Sequence, residues 1–317
     1  MHHCSRSGTV LSRYSFLFLG WNNNIFFVQN ASGRRCLLAA DAKETGSMTV
    51  EWKDMMLDKV AIGPVSARIY QGADYGKGPP IVLYLHGGAF LDSDKNVDRP
   101  VAMSLAKAGA IVVAADYSSL SGNLFPQALE VSFSVFTYLA NKRAGLGDRK
   151  SLLFVAGEEA GGNVAAGVAL KARDQMPDAL DGQVLISPLL DPFMGTSSIR
   201  KAEAIGMRQR WTEGWSHYLS GGGCHPYAAP CLCSRISGVA PALIFTAEDD
   251  PLHDETIGYG ARLKQAGVGV RQHVLPAGTG WPSIYGGKSD GAPDWQENVS
   301  RHFGSFLRDV SVQPQLH

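Results

Sequence analysis

No block of like charge runs through this chain of 317 residues; its 29 basic and 29 acidic side chains balance. That leaves no electrostatic footprint for nucleic acid or for an acidic membrane. A disulfide framework is lacking too. Cys4, Cys36, Cys224, Cys231 and Cys233 make an odd count without regular spacing, which in a chain this size points to a reducing, cytoplasmic setting. Cys231 and Cys233 beside His225 lack the spaced second pair of a structural zinc site, so no metal is expected, and no cofactor. Nothing approaches the roughly 18 uninterrupted apolar residues of a membrane span. Arg6 and Arg13 ahead of an apolar stretch suggest an export signal, but Asn22, Asn23 and Asn24 break that stretch and no small-residue cleavage site follows. Internal repeats are absent as well. What is abundant is apolar residues, 45%, and glycine, 36 in number, enough for one large α/β domain with a full core.

Residues 1–47 do not match the rest and read as a poorly ordered or atypical extension, with Met48 closer to the start of the folded unit. Residues 48–312 read as the domain, 313–317 as a tail. Strands are expected at 56–62 and 65–70 around a Gly63-Pro64 turn, then at 81–85, 110–115, 152–156, 184–186 and 242–246. Helices are expected at 101–108 and 127–139, and after 163. This alternation predicts a mostly parallel sheet with helices on both faces and functional groups at the carboxyl ends of its strands. It stops between about 190 and 230, a segment with Trp211, Trp215, Tyr218 and Tyr227 that reads as a lid or cap insertion. Its aromatics either line a pocket or pack beneath the lid.

The most informative stretch is Gly157-Glu158-Glu159-Ala160-Gly161-Gly162-Asn163, between an apolar strand and an alanine-rich helix. Strand, glycine-rich turn and helix make a nucleophile elbow. Around it stand His86-Gly87-Gly88-Ala89-Phe90, Phe125-Pro126-Gln127-Ala128, Pro226-Tyr227-Ala228-Ala229-Pro230 and Asp250-Pro251-Leu252-His253-Asp254-Glu255. In this order the chain resembles the α/β-hydrolases related to hormone-sensitive lipase, which include bacterial esterases and plant gibberellin receptors, from about Val65 to Leu307. The resemblance implies an α/β-hydrolase fold. It also implies oxyanion donors or ligand-binding groups at His86, Gly87, Gly88, Ala89 and Ala160, and the catalytic acid at Asp250. Two departures stand out. The nucleophile position holds Glu159 in place of serine, and the position of the catalytic histidine holds Thr279.

Thr279 has no proton equilibrium near neutral pH and cannot be a general base. His253 and His273 lie near enough in sequence to be considered as substitutes. Glu159 admits three readings. It is a nucleophile whose ester lacks an activated water; it is a base beside an intact oxyanion loop, giving a lyase, an isomerase or an unusual hydrolase; or it plugs its own site as a carboxylate at a helix start. Loss of histidine together with serine favours the third, a pseudoenzyme that binds a small molecule or a partner. A carboxylate ligand would be repelled by Glu159, so a neutral, partly apolar one is expected. Many proteins of this fold dimerise, and a homodimer stays open.

Overall fold

The computed structural model describes the backbone of residues 17–22, 25–29 and 35–39, and residues 49–72, 78–92, 99–281, 285 and 295–312 in full. Its strands are β1 (Leu17–Asn22), β2 (Ile25–Gln29), β3 (Arg35–Ala39), β4 (Val50–Leu57), β5 (Val65–Gly72), β6 (Ile81–Leu85), β7 (Ile111–Ala115), β8 (Leu153–Glu158), β9 (Gly182–Pro188), β10 (Ala242–Ala247) and β11 (Val270–Leu275). They form an 11-stranded sheet in the order β1-β2-β3-β4-β5-β7-β6-β8-β9-β10-β11. From β7 to β11 neighbours are parallel. From β1 to β5, and between β5 and β7, they are antiparallel. The boundary expected at 47/48 thus falls between β3 and β4 of one continuous sheet, while the tail 313–317 lies outside the described residues.

The helices are α1 (Pro100–Lys107), α2 (Ser118–Ser121), α3 (Gln127–Leu146), α4 (Glu159–Gln175), α5 (Met207–Leu219), α6 (His253–Gln265) and α7 (Trp295–Val312). Alternation along the central strands explains why both faces need cover. Ile81, Leu83 and Leu85 enter the core made with α3, α4 and α6, whereas Val82 and Tyr84 enter the one made with α1 and α7. The α7 helix buries Trp295, Val299, Phe303 and Phe306, the stripe of an amphipathic helix laid on a sheet. The α4 helix is buried from Glu159 to Ala172, which its alanines and glycines permit by keeping it thin.

One expectation needs correcting. The strand placed at 56–62 is β4, Val50–Leu57, and residues 58–64 are turn. Gly63 N donates to Val60 O at 3.0 Å and closes that turn, leaving Ile62 exposed. Of the apolar residues there only Val60 enters the core, while Ala61 and Ile62 face outward and mimic a strand.

Candidate active site and its occupant

The elbow forms where β8 runs into α4. Glu159 sits at its apex with φ 50°, a left-handed conformation that costs a non-glycine residue about 1 kcal/mol or more. The turn is held by close backbone approach. A Cβ built on Gly161 would lie 2.1 Å from Leu85 O and 2.3 Å from His86 O, so only glycine lets α4 start against the end of β6. Glu159 O accepts from Leu189 N at 2.9 Å, which ties the apex to the end of β9.

The Glu159 side chain turns into the oxyanion loop. Its Oε2 accepts from Gly88 N at 2.5 Å and from Ala89 N at 2.9 Å, and Oε1 accepts from Ala89 N at 3.1 Å. Trp211 Nε1 donates a further bond to Oε1. Of the expected donors, Gly88 and Ala89 therefore meet Glu159. Gly87 N donates instead to Glu158 Oε1 at 3.2 Å, and Ala160 is buried at the helix start without a bond to the Glu159 carboxylate. His86 faces away: its Nδ1 lies 2.6 Å from Gly87 O, its ring stacks on Tyr117, and burial lowers its pKa to about 4, so it is neutral. Glu158 also accepts from Tyr84 Oη, and burial raises its pKa.

The α5 helix closes this arrangement from above. Trp211 and Tyr218 are fully buried and Trp215 nearly so. Phe90 of the oxyanion loop stacks on Tyr218 at 4.1 Å and meets Trp215 at 5.0 Å between ring centroids. These three aromatics of α5 are packed inward and line no open pocket, whereas Tyr227 reaches Asp174 with its hydroxyl at 2.5 Å. Gly214 brings the α5 backbone onto the loop, since a Cβ there would lie 1.8 Å from Ala89 O. Glu159 is left only 3% exposed, so its carboxylate is largely shielded from solvent.

At the acid end, Asp250 is wholly buried. Its Oδ1 accepts from Leu252 N at 2.8 Å and from Tyr285 Oη at 2.7 Å. Its Oδ2 accepts from Thr246 Oγ1 at 3.1 Å, from Trp281 Nε1 at 2.6 Å and from Ser187 Oγ. Burial pushes its pKa up against the pull of these bonds. Thr279 is not among the donors; its Oγ1 donates to Pro276 O at 3.1 Å in its own turn. The two histidines considered as substitutes lie elsewhere. His253 pairs with Asp254 at 2.9 Å, and His273 stacks on His302 at 3.7 Å between centroids. Trp211 was visible in the sequence only as one lid aromatic among several. Trp281 closes the stretch in which the histidine was expected but carried no role there, and Tyr285 carried no signal, because it lies beyond that motif.

Among the described residues no three His, Cys, Asp or Glu side chains form a group that could hold a metal ion. Cys231 Sγ donates to Leu190 O at 2.8 Å, and the His225 ring stacks on Phe125. No helix among the described residues is long and apolar enough to cross a membrane.

Glu255 fastens the segment after β9 to α6, because its Oε2 accepts from Leu190 N at 2.8 Å and Asp191 N at 2.6 Å. Burial raises its pKa from 4.5 to about 8. A carboxyl raised on folding stabilises the fold fully below its unfolded pKa and loses that contribution as pH rises through the folded one. Wild type should therefore lose stability relative to Glu255→Gln as pH climbs from 4.5 to about 8, measured by urea unfolding of both proteins across that range. A difference that does not change with pH would refute the burial account.

A profile for the alpha/beta hydrolase fold matches residues 82–279. Esterase LipI of Mycobacterium tuberculosis is 32% identical over 235 residues, 69% of this chain and 71% of that protein. Gibberellin receptor GID1C of Arabidopsis thaliana is 26% identical over 246 residues, 67% of this chain and 70% of that one. Among solved structures, an esterase of Pyrobaculum calidifontis superposes with a TM-score of 0.69 at 29% identity, covering 81% of this chain and 85% of that one. With elbow, oxyanion loop and acid loop placed at the carboxyl ends of a parallel sheet, the chain belongs to the α/β-hydrolase family, among the esterases related to hormone-sensitive lipase.

Proposed function

We propose that this protein is a catalytically silent hydrolase homologue, a cytoplasmic protein that uses the fold to bind a small neutral molecule or a partner. One observation carries the reading: the Glu159 carboxylate itself takes the N–H groups of Gly88 and Ala89. In an acyl-transfer enzyme such donors must meet the oxygen on which charge develops. Here a resident anion already holds them. The same bonds weigh against Glu159 as a base supported by an oxyanion hole, because the base and the hole would compete for one set of donors. Use as a nucleophile is opposed by burial and by the partners of Asp250 among the described residues, a backbone amide, an indole and three hydroxyls, none of which is a base able to activate water. The relative named as a gibberellin receptor fits the binding role, since a hormone receptor also belongs among the matches.

The test is an assay of purified protein on short-chain p-nitrophenyl esters. Wild type and Glu159→Gln should both hydrolyse them no faster than buffer. Turnover by wild type that Glu159→Gln abolishes would overturn the proposal and make Glu159 a catalytic group.

A further inference from the structure

A base that serves both an acid and an elbow nucleophile needs one edge on the carboxylate and the other toward the elbow. The geometry points to Tyr285, and not Thr279, as the residue that occupies the place of the missing histidine. Its hydroxyl donates to Asp250 Oδ1 at 2.7 Å. Its ring packs edge-on against Trp211, 5.4 Å between centroids, and Trp211 donates to Glu159. The side chain thus lies between the acid and the elbow, on the sheet face that carries the elbow helix, where it packs on the core that includes Ala160 and Trp211.

The other two candidates fail this requirement for separate reasons. Trp281 also donates to Asp250, but its ring belongs to the core on the opposite face, edge-on to Trp295 at 5.6 Å. Thr279 makes its bond within its own turn and none to Asp250. Alignment by motif gives the histidine's place in the sequence, and the bond to Asp250 gives its place in space to Tyr285.

A phenol in this place does half of a histidine's work. It satisfies the buried Asp250 and walls the site against Trp211. Burial and the neighbouring Asp250 hold its pKa well above the ordinary phenol value, so it keeps its proton at neutral pH and cannot accept one from a nucleophile. The dormant state then rests on two substitutions, Glu159 and Tyr285. This inference deepens the silent reading of the site but needs only the placement of Tyr285 to hold.

The experiment compares Glu159→Ser/Tyr285→His with Glu159→Ser/Thr279→His in the full chain. An imidazole hydrogen-bonded to a buried carboxylate gives a far-downfield N–H proton resonance, readable without turnover. That resonance is expected in the Tyr285→His pair alone and should vanish when Asp250→Asn is added. Hydrolysis of p-nitrophenyl acetate should be about 100-fold faster in the Tyr285→His pair, the low end of what a placed general base contributes. The single variant Tyr285→His, in which Glu159 keeps its bonds, gives the same resonance test should the double variant not fold. A resonance from the Thr279→His protein, or none from either Tyr285→His protein, overturns the assignment. The ester assay of wild type tests the silent reading separately, so the two can fail independently.

Discussion

Glu159→Ala should lower the free energy of unfolding by about 3 kcal/mol, read from urea midpoints at unchanged slope. The substitution leaves three donors, Gly88 N, Ala89 N and Trp211 Nε1, facing a space closed by α5. Each buried donor left unsatisfied costs roughly 1–3 kcal/mol, and water entering the vacated volume recovers part of the sum. Alanine gains nothing from the backbone, because φ 50° is unfavourable for it as well. The sign separates the two uses of a carboxylate at this position. Groups kept for catalysis commonly burden the fold, so that replacing them is neutral or stabilising. A loss of stability marks Glu159 as part of the packing; a gain would argue that the site is held under strain for chemistry.

Gly214→Ala should be at least as damaging, in the range of about 3–5 kcal/mol. In an unencumbered helix the change would stabilise by about 1 kcal/mol through propensity. Here the new methyl would meet Ala89 O at 1.8 Å and Ala89 C at 2.9 Å, both backbone atoms. To reach ordinary contact, α5 must retreat by roughly 1.5 Å. That movement breaks the Trp211 bond to Glu159 and separates Phe90 from Tyr218. Overpacking typically costs about 1–3 kcal/mol and a hydrogen bond to a charged group about 1.5–3, so the clash outweighs propensity severalfold. Gly258 in α6 is the control, since a Cβ there meets nothing within 4 Å. Gly258→Ala should stabilise slightly, and tryptophan fluorescence should shift only in the Gly214 variant. Equal effects at the two positions would show that α5 is not seated on the loop.

The central sheet was legible from apolar runs because β6, β8 and β10 are buried on both faces, and such strands need no alternation to be seen. The elbow and loop were legible because glycines at fixed offsets leave few backbones to choose from. The site's occupant was legible only as one of three readings, Glu159 plugging its own site. Which donors it takes, Gly88 and Ala89, follows from its rotamer, and no spacing encodes a rotamer. Tyr285 was hidden for a different reason. It lies six residues beyond Thr279, past the point where the motif ends, and its bond to Asp250 is seen only in the structure. The turn at 58–64 misled in the opposite direction, with apolar residues where the chain simply reverses.

The packing of Phe90 against Trp215 and Tyr218 bears on how any small molecule could reach Glu159. Entry must lift α5 and wet those rings before the newcomer buries surface of its own. Burying apolar surface lowers heat capacity and exposing it raises heat capacity by a similar amount per unit area. A guest at this centre would therefore bind with little net change in heat capacity, unlike the strongly negative change of a ligand entering a ready-made apolar cleft. The temperature dependence of the binding enthalpy thus carries a record of whether the lid had to open.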